Sequence, residues 1–365
     1  MKLRQVSIKD YKKIKNLFKR NKLEMINFNR WKNLWNRNPI SKKRRNWIKG
    51  WVMIDGGRVV GHFGSFPTKY FLNNKSYTCS VLHGWVVDKK FRSQSILLLK
   101  KLFMQSNVDF LLSTTTNNKA GKIMKALNAR QIQSENLNYS LIIILNLKKF
   151  IQFILTRIHF PFKKILSNII SLPALYLLKK KINYWENKFS DNNIVECTKI
   201  DSRFNYVWNH IKRTYKNTLL FQRDKNWLEW HLGFLLKKKK SWIFLSQKNN
   251  KVNGYAICII NNYYKDGIKR AFLIDLISVD KNSNVSINLI GSCIKEAKKR
   301  NCDTFEFRGF DKSKKPYIEF FNPFKKKLSD NPFYYKSNNA GLNKKLSRSN
   351  YWNPTYIDGD TINNF

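Results

Sequence analysis

The feature that most limits what this chain can fold into is a pattern written twice. Residues 56–66 read as a strand leaving a tight Asp55-Gly56-Gly57 turn, and residues 81–88 as a second strand that runs into a basic turn. An amphipathic helix follows, and residues 107–114 read as a third strand. Residues 250–260, 271–280 and 301–308 repeat that succession, helix included. Weak self-similarity over so long a period marks a duplicated unit. Each copy mixes helices with mostly hairpin-connected strands, so the expected fold class is α/β with a mixed, largely antiparallel sheet, in two tandem copies. At 365 residues there is room for two separate cores. The first copy is expected over residues 1–147 and the second over 191–335, with a connector at 148–190 and a tail at 336–365.

The connector alternates apolar clusters with Lys and Arg and is interrupted by Pro161 and Pro173. Such a segment either lies in a membrane interface, lysines toward anionic headgroups, or links two domains with its apolar face against a core. The link is the commoner use and the one expected here.

Seventy Lys and Arg stand against 23 Asp and Glu, a formal net charge of +47. A balance of this kind attracts nucleic acid, anionic membranes and phosphate-bearing small molecules. The basic residues are dispersed over both halves, and Lys, Asn and Ile abound throughout, so compositional drift accounts for a good part of it. The charge therefore implies affinity for anions without naming one. Five cysteines (Cys79, Cys197, Cys258, Cys293, Cys302) lack metal-ligand or disulfide spacing, which suits a reducing cytoplasm. No uncharged apolar run is long enough to cross a membrane, and the N-terminus has no apolar signal core. No metal is expected.

The stretch Val86–Leu102 places a strand, a basic turn and a helix in succession. The first turn of a helix offers unpaired backbone N–H groups to a phosphate. Turns that do this usually carry glycine, which lets the ligand approach the backbone. This one has none.

These residues, with Phe28–Pro39, Gly56–Pro67 and Thr115–Ile132, resemble the GNAT superfamily of acyl-CoA-dependent N-acyltransferases. Together with Phe221–His231 and the ending Tyr351–Asp360, they make the whole chain similar to two-domain members found beside bacterial surface-polysaccharide genes. The resemblance implies two tandem GNAT-like domains, an acyl-CoA co-substrate such as acetyl-CoA, and a small-molecule amine acceptor, a nucleotide-linked amino sugar among the candidates. It further implies that Val86 and Val87 face the pantetheine arm and that Arg92, Ser93, Gln94, Ser95 and Ile96 wrap the pyrophosphate. Arg92 stands where the motif's basic residue belongs. Ser95 replaces its first glycine, and Leu97 its last small residue. Asn117 or Asn118 would cap the following helix and reach the ligand.

For the chemistry, His83 on the strand before the turn is the candidate general base. Asp88 would orient the amine, and Tyr139 on the closing strand would protonate the leaving thiolate. Each has an ordinary alternative, as a satisfied strand histidine, a turn acceptor and a buried tyrosine. In the second copy Asp275 lies in an apolar strand and needs a partner, with Arg308 or His231 as candidates. The sharper option is that Asp275 and Arg308 contact the substrate amine. The second copy lacks the basic turn and is expected to bind no cofactor. Two other readings stay open: a transferase that takes its acyl group from aminoacyl-tRNA, and a scaffold that kept the fold without the cofactor. Outside the first of these no nucleic-acid partner is expected. A cytoplasmic protein, with peripheral contact to the inner membrane face, is the expected location.

Overall fold

A computed structural model describes residues 1–41, 47–132, 135–157, 184–185, 193–249, 251–261, 267–279, 282–310, 313–328 and 332–360. Most of the connector, and the basic run Lys42–Arg45, lie outside the described residues. The described start of the connector is helical, over Leu147–Arg157.

In the first half, β1 (Lys2–Gln5), β2 (Gly50–Asp55), β3 (Arg58–Leu72), β4 (Lys75–Val87), β5 (Phe110–Ser113) and β6 (Arg130–Gln131) are joined by helices α1 (Tyr11–Arg20), α2 (Phe28–Asn36), α3 (Ser95–Phe103) and α4 (Asn118–Ala126). The β2–β3 hairpin turns at Gly56 (φ 51°) and Gly57 (φ 76°), two successive positive φ values that explain the Gly-Gly pair. In α1, Ile14, Leu17 and Phe18 bury one stripe at helical spacing.

The second half supplies β8 (Ile194–Glu196), β10 (Ser241–Lys248), β11 (Lys251–Asn261), β12 (Arg270–Ser278) and β13 (Thr304–Arg308). Around them pack helices Arg203–Thr214, Lys225–Lys237 and Ser283–Lys299. A two-strand pairing, β9 (Leu220–Phe221) on β3, stitches the halves together.

The sheets cut across the boundaries expected at residues 147 and 335. The strand that ends the first segment, β7 (Tyr139–Ile144), lies in the second sheet between β13 and β14 (Phe324–Lys327). The first sheet is completed instead by β15 (Tyr334–Lys336), between β5 and β6. The strand orders are β1-β2-β3-β4-β5-β15-β6 and, read in the same sense, β8-β10-β11-β12-β13-β7-β14. Both sheets are antiparallel except at one parallel pair, β4–β5 in the first and β12–β13 in the second. The two copies have therefore exchanged equivalent strands. The presumed tail beyond residue 336 is part of the body: it continues into a helix over Ala340–Leu346, and Trp352 bridges to Leu219.

One hydrophobic core is shared. Val52, Phe66 and Val81 of the first sheet, Trp31 and Trp35 of α2, Trp227 of its counterpart, and Ile257 and Ile274 of the second sheet form a single cluster. The outer face of the first sheet packs on Leu98, Leu99, Leu102 and Met124, and that of the second on Leu289, Ile290 and Ile294.

Candidate active site

The site is built where β4 leaves β5. These parallel strands pair only from Cys79↔Phe110 to Val81↔Leu112. Beyond Val81, β4 runs on to Val87 with β3 on one side and, among the described residues, no strand on the other. A bulge falls in this free stretch. His83 pairs with Gly64 and Val86 with His62, which leaves Gly84 and Trp85 opposite Phe63 alone. Gly84 takes φ 62°, the left-handed conformation that a bulge residue without Cβ adopts readily. The result is a V-shaped gap whose β4 arm offers backbone groups outside the ladder. Val86 and Val87 lie on that arm, buried, on opposite faces of the sheet.

The turn after β4 departs from a cradle of free N–H groups. Lys89–Gln94 form a 3-10 helix that continues into α3. Phe91 N–H donates to Asp88 O, and Ser95 N–H to Arg92 O. The Ser95 side chain is buried and Ile96 half-buried. Arg92, Ser93 and Gln94 are exposed, beside exposed Lys89 and Lys90. A diphosphate placed there would meet cationic and polar side chains first, with the backbone largely bonded to itself.

His83 is held in the bulge against Phe66 (5.7 Å between ring centroids) and Trp35 (6.2 Å). Its position opposite Gly64 is allowed because a Cβ at residue 64 would come within 2.5 Å of His83 Nε2. That nitrogen is sealed from solvent and has no hydrogen-bond partner. Burial, with neighbouring His62 adding to it, lowers the His83 pKa to about 3. The ring is therefore neutral at pH 7 and a weak base, a correction to the role its residue type suggested. His62, which was not singled out, is buried beside it, with centroids 6.2 Å apart. It donates through Nδ1 to Gly84 O (2.8 Å) and so braces the bulge.

Two further expectations change. Asp88 is taken up by α1: Arg20 Nη2 donates to it at 2.7 Å and Asn21 Nδ2 at 2.8 Å. Burial raises its pKa, but the Arg20 and Asn21 bonds outweigh that and hold it below the ordinary value. It anchors a helix and is not free for an amine. Tyr139 lies in the second sheet with β7, opposite Lys327, with Lys325 Nζ 3.9 Å from its ring centre. The strand exchange removed it from the first sheet. Asn117 caps α4 by accepting from Ala120 N–H (2.9 Å), and Asn118 is the first residue of that helix, exposed.

The second sheet has an equivalent gap, differently used. β12 pairs with β13 from Arg270↔Thr304 to Leu273↔Phe307, and a bulge follows at once. Here the chain's own ending enters: Ile357 N–H donates to Ile274 O (3.2 Å). Asp275, beside the bulge, is fully buried. Its partner is neither Arg308 nor His231 but Arg223, whose Nε donates to Asp275 Oδ2 at 2.8 Å, with Tyr255 OH on the same oxygen (2.9 Å). Arg223 precedes the Lys225–Lys237 helix, which carries it into the shared core. Its Nη2 also reaches Thr355 Oγ1 (3.0 Å) and Asp358 Oδ1 (3.2 Å). Burial disfavours the Arg223 charge, yet the two carboxylates more than restore it and raise its pKa. Arg308 instead binds Glu306 (3.1 Å) and lies over Phe272 and Tyr356. His231 faces Ile357 O (3.3 Å), and burial lowers its pKa to about 3.

The same C-terminal segment then crosses to the first gap. Thr114 and Thr115 follow the end of β5, on the far arm of the V, and both donate to Asp360 (2.6 and 3.0 Å). Burial raises the Asp360 pKa to about 6 although the threonine bonds oppose it. Sequence reasoning quoted this ending without giving it a role. The available signal was scarcity: Asp358 and Asp360 are two of only 23 acidic residues, one glycine apart.

A cleft of about 800 Å³ opens between α2 and the Lys225–Lys237 helix. Lys69, Gln222, Asp224, Glu229, Trp230 and Phe234 are among its walls. Gln222 Oε1 is buried there without a partner. Phe66 links cleft and gap, touching His83 on one side and Trp230 on the other (5.9 Å). Among the described residues no group of His, Cys, Asp or Glu is arranged to hold a metal ion, and no helix is long and apolar enough to cross a membrane.

The fold, two mixed sheets with their helices, is similar to that of several solved acyltransferase structures. Among solved structures it is similar to N-myristoyltransferase of Saccharomyces cerevisiae with bound myristoyl-CoA, with TM-score 0.55 and 13% identity over 92% of this chain and 82% of that one. A GCN5-related N-acetyltransferase from Kribbella flavida gives 0.58 at 9% identity over 92% and 71%. A probable N-acyltransferase from Enterococcus faecalis V583 gives 0.57 at 8% over 92% and 72%. No protein-family model and no curated protein matches the sequence.

Proposed function

We propose that the chain is an acyl-CoA-dependent N-acyltransferase with a single reaction site, the gap between β4 and β5. The observation that carries this reading is the contrast between the two gaps. One is filled by the chain's own residues 355–360; the other, among the described residues, is bordered by no strand on its open side and has a buried carboxylate at its mouth. The free arm of β4 can pair with an extended ligand as an added strand would. Arg92, with Lys89 and Lys90, supplies positive charge where the diphosphate of coenzyme A would lie. A bound acyl thioester would supply an activated carbonyl: the deprotonated amine would attack it, the C–S bond would break, and coenzyme A would leave as the thiol with the second proton of the amine.

This chain's residues do the rest. Asp360, ionised at neutral pH but more basic than an ordinary carboxylate, accepts the proton of the acceptor's ammonium. His62 and Gly84 hold the bulge. His83, neutral, offers a hydrogen bond and a tightly packed wall without taking the proton. The acceptor enters through the cleft, where Gln222 Oε1 needs a donor and Trp230 and Phe234 give apolar walls. Hydroxyl-bearing amines suit that lining, and an amino sugar used in cell-surface polysaccharide is the acceptor we favour.

Calorimetric titration with acetyl-CoA and longer acyl-CoAs, at low and high salt, tests the reading. Binding that saturates and survives high salt is expected, since a +47 protein binds any polyphosphate loosely at low salt. Asp360→Asn should keep that binding and lose acyl transfer to glucosamine. Binding abolished by salt would remove the acyltransferase reading.

A further inference from the structure

Resting on the reading that the β4–β5 gap is the reaction site, we propose that the Arg223 cluster is a clamp that positions Asp360. Arg223 and Asp358 are then positioning residues for a site in the other half of the molecule. The equivalent gap of the second copy, instead of taking a ligand, holds the strap that completes the first.

The strap runs from Thr355 to Asp360. Its first half is fixed to the second sheet. Arg223 bridges Asp275 to Thr355 and Asp358, Thr355 N–H donates to Asp358 Oδ2 (3.1 Å), and Ile357 is held from both sides by Ile274 O and His231 Nε2. Gly359 is the crossing point. It takes φ 78°, and a Cβ there would run into Thr114 Oγ1, so only glycine lets the strap lie this close to the first sheet. Asp360 follows immediately. Its N–H donates back to Thr114 Oγ1 (3.3 Å), while its carboxylate accepts from Thr114 and Thr115. Every charged member of the chain of contacts is buried: Arg223, Asp275, Asp358 and Asp360 are each at most 6% exposed.

Buried ion clusters are a poor source of stability, because desolvation consumes most of the attraction. Apolar residues of like volume would hold a tail as well. What a charged cluster adds is strict geometry, since each hydrogen bond fixes a direction as well as a distance. Only Gly359, pinned against Thr114, separates Asp358 from Asp360, so fixing the first carboxylate fixes the second. The arrangement makes the first site dependent on the second copy, which gives a physical reason for keeping a copy whose own gap is closed.

The test uses the full chain with aspartate labelled at the carboxyl carbon, without acyl-CoA, so that it stands apart from the binding titration above. NMR titration follows the Asp360 signal, assigned by its absence in Asp360→Asn, in the wild type, Arg223→Lys, Asp358→Ala and the milder Thr355→Val. Hydrogen exchange of residues 355–360 and thermal stability are recorded alongside. A clamp predicts a wild-type midpoint near 6 that moves toward the ordinary value of about 4 in the clamp variants, with loss of strap protection. Thr355→Val gives the smaller shift and keeps the test open if the charge variants fail to fold. An unchanged Asp360 midpoint in variants that lose only stability would reduce the cluster to a structural staple. A wild-type midpoint near 4 would also overturn the proposal.

Discussion

Two gaps of the same construction do opposite things in this molecule. Each forms where a bulged strand parts from its parallel neighbour, after Val81 in the first sheet and after Leu273 in the second. The first is lined by neutral histidines and followed by an exposed basic turn. The second is lined by a buried Arg–Asp cluster and threaded by the chain's own ending. Among the described residues, a duplicated fold thus leaves the strand-addition position empty in one gap and fills it in the other. The comparison teaches that gap geometry alone does not make a site: what occupies the strand-addition position decides.

Breaking the filled gap should cost most. Arg223→Met removes the cation that Asp275 binds in the buried cluster, and a loss of about 3–5 kcal/mol is expected in urea denaturation. If the variant were as stable as the wild type, the strap would not depend on the cluster.

A lesion in the open gap should cost less but move the chemistry. Gly64→Ala puts a methyl group against the His83 ring, which Trp35 and Phe66 confine. Overpacking of about 1–3 kcal/mol is expected, with a changed His83 signal in NMR. An undisturbed ring would mean that the bulge is softer than its packing suggests.

Acid should distinguish the two linings. The folded pKa values of His62, about 4, and of His83 and His231, about 3, lie below the unfolded value of 6.5, with burial the leading cause in each. As pH falls below 6.5 the unfolded chain therefore binds protons first, and each histidine removes about 1.4 kcal/mol per pH unit, down to its folded pKa. Asp358 and Asp360, raised to about 6 chiefly by burial, act in the other direction. The folded state takes up their protons first, so each returns a comparable amount as pH falls from about 6 toward 4. Three histidines against two carboxyls leave a net loss between pH 7 and 5, read as a falling denaturation midpoint. His62→Gln should flatten that slope.

The smallest effect on stability belongs to the turn. Arg92 is exposed, and Arg92→Ala should change stability by no more than about 0.5 kcal/mol while weakening acyl-CoA binding severalfold at low salt. Unaltered binding would place the diphosphate elsewhere.

Much of this was legible before the fold was known. The Gly56-Gly57 hairpin, the strand–turn–helix at Val86–Leu102, the Asn117 cap and the duplication itself follow from turn chemistry and from periods of two and of about three and a half residues. Those signals are local, so one sequence carries them completely. The candidate site was legible only in part. His83 and the β4 edge were located, but the basicity of His83 depended on burial that its own strand does not reveal. Tyr139 was misplaced because a strand pattern says nothing about which sheet receives the strand.

What the sequence by itself determined, then, is the inventory of elements and their repetition. Tertiary structure alone decided the exchange of β7 and β15, the pairing of Asp275 with Arg223, and the arrival of Asp360 beside Thr114, 246 positions away. The physical reason is that a backbone edge accepts any extended segment with compatible register, and a buried charge accepts any opposite charge within reach. Local chemistry states the need for a partner. Only the packed chain, with its loops closed and its core shared between two sheets, selects which partner meets it.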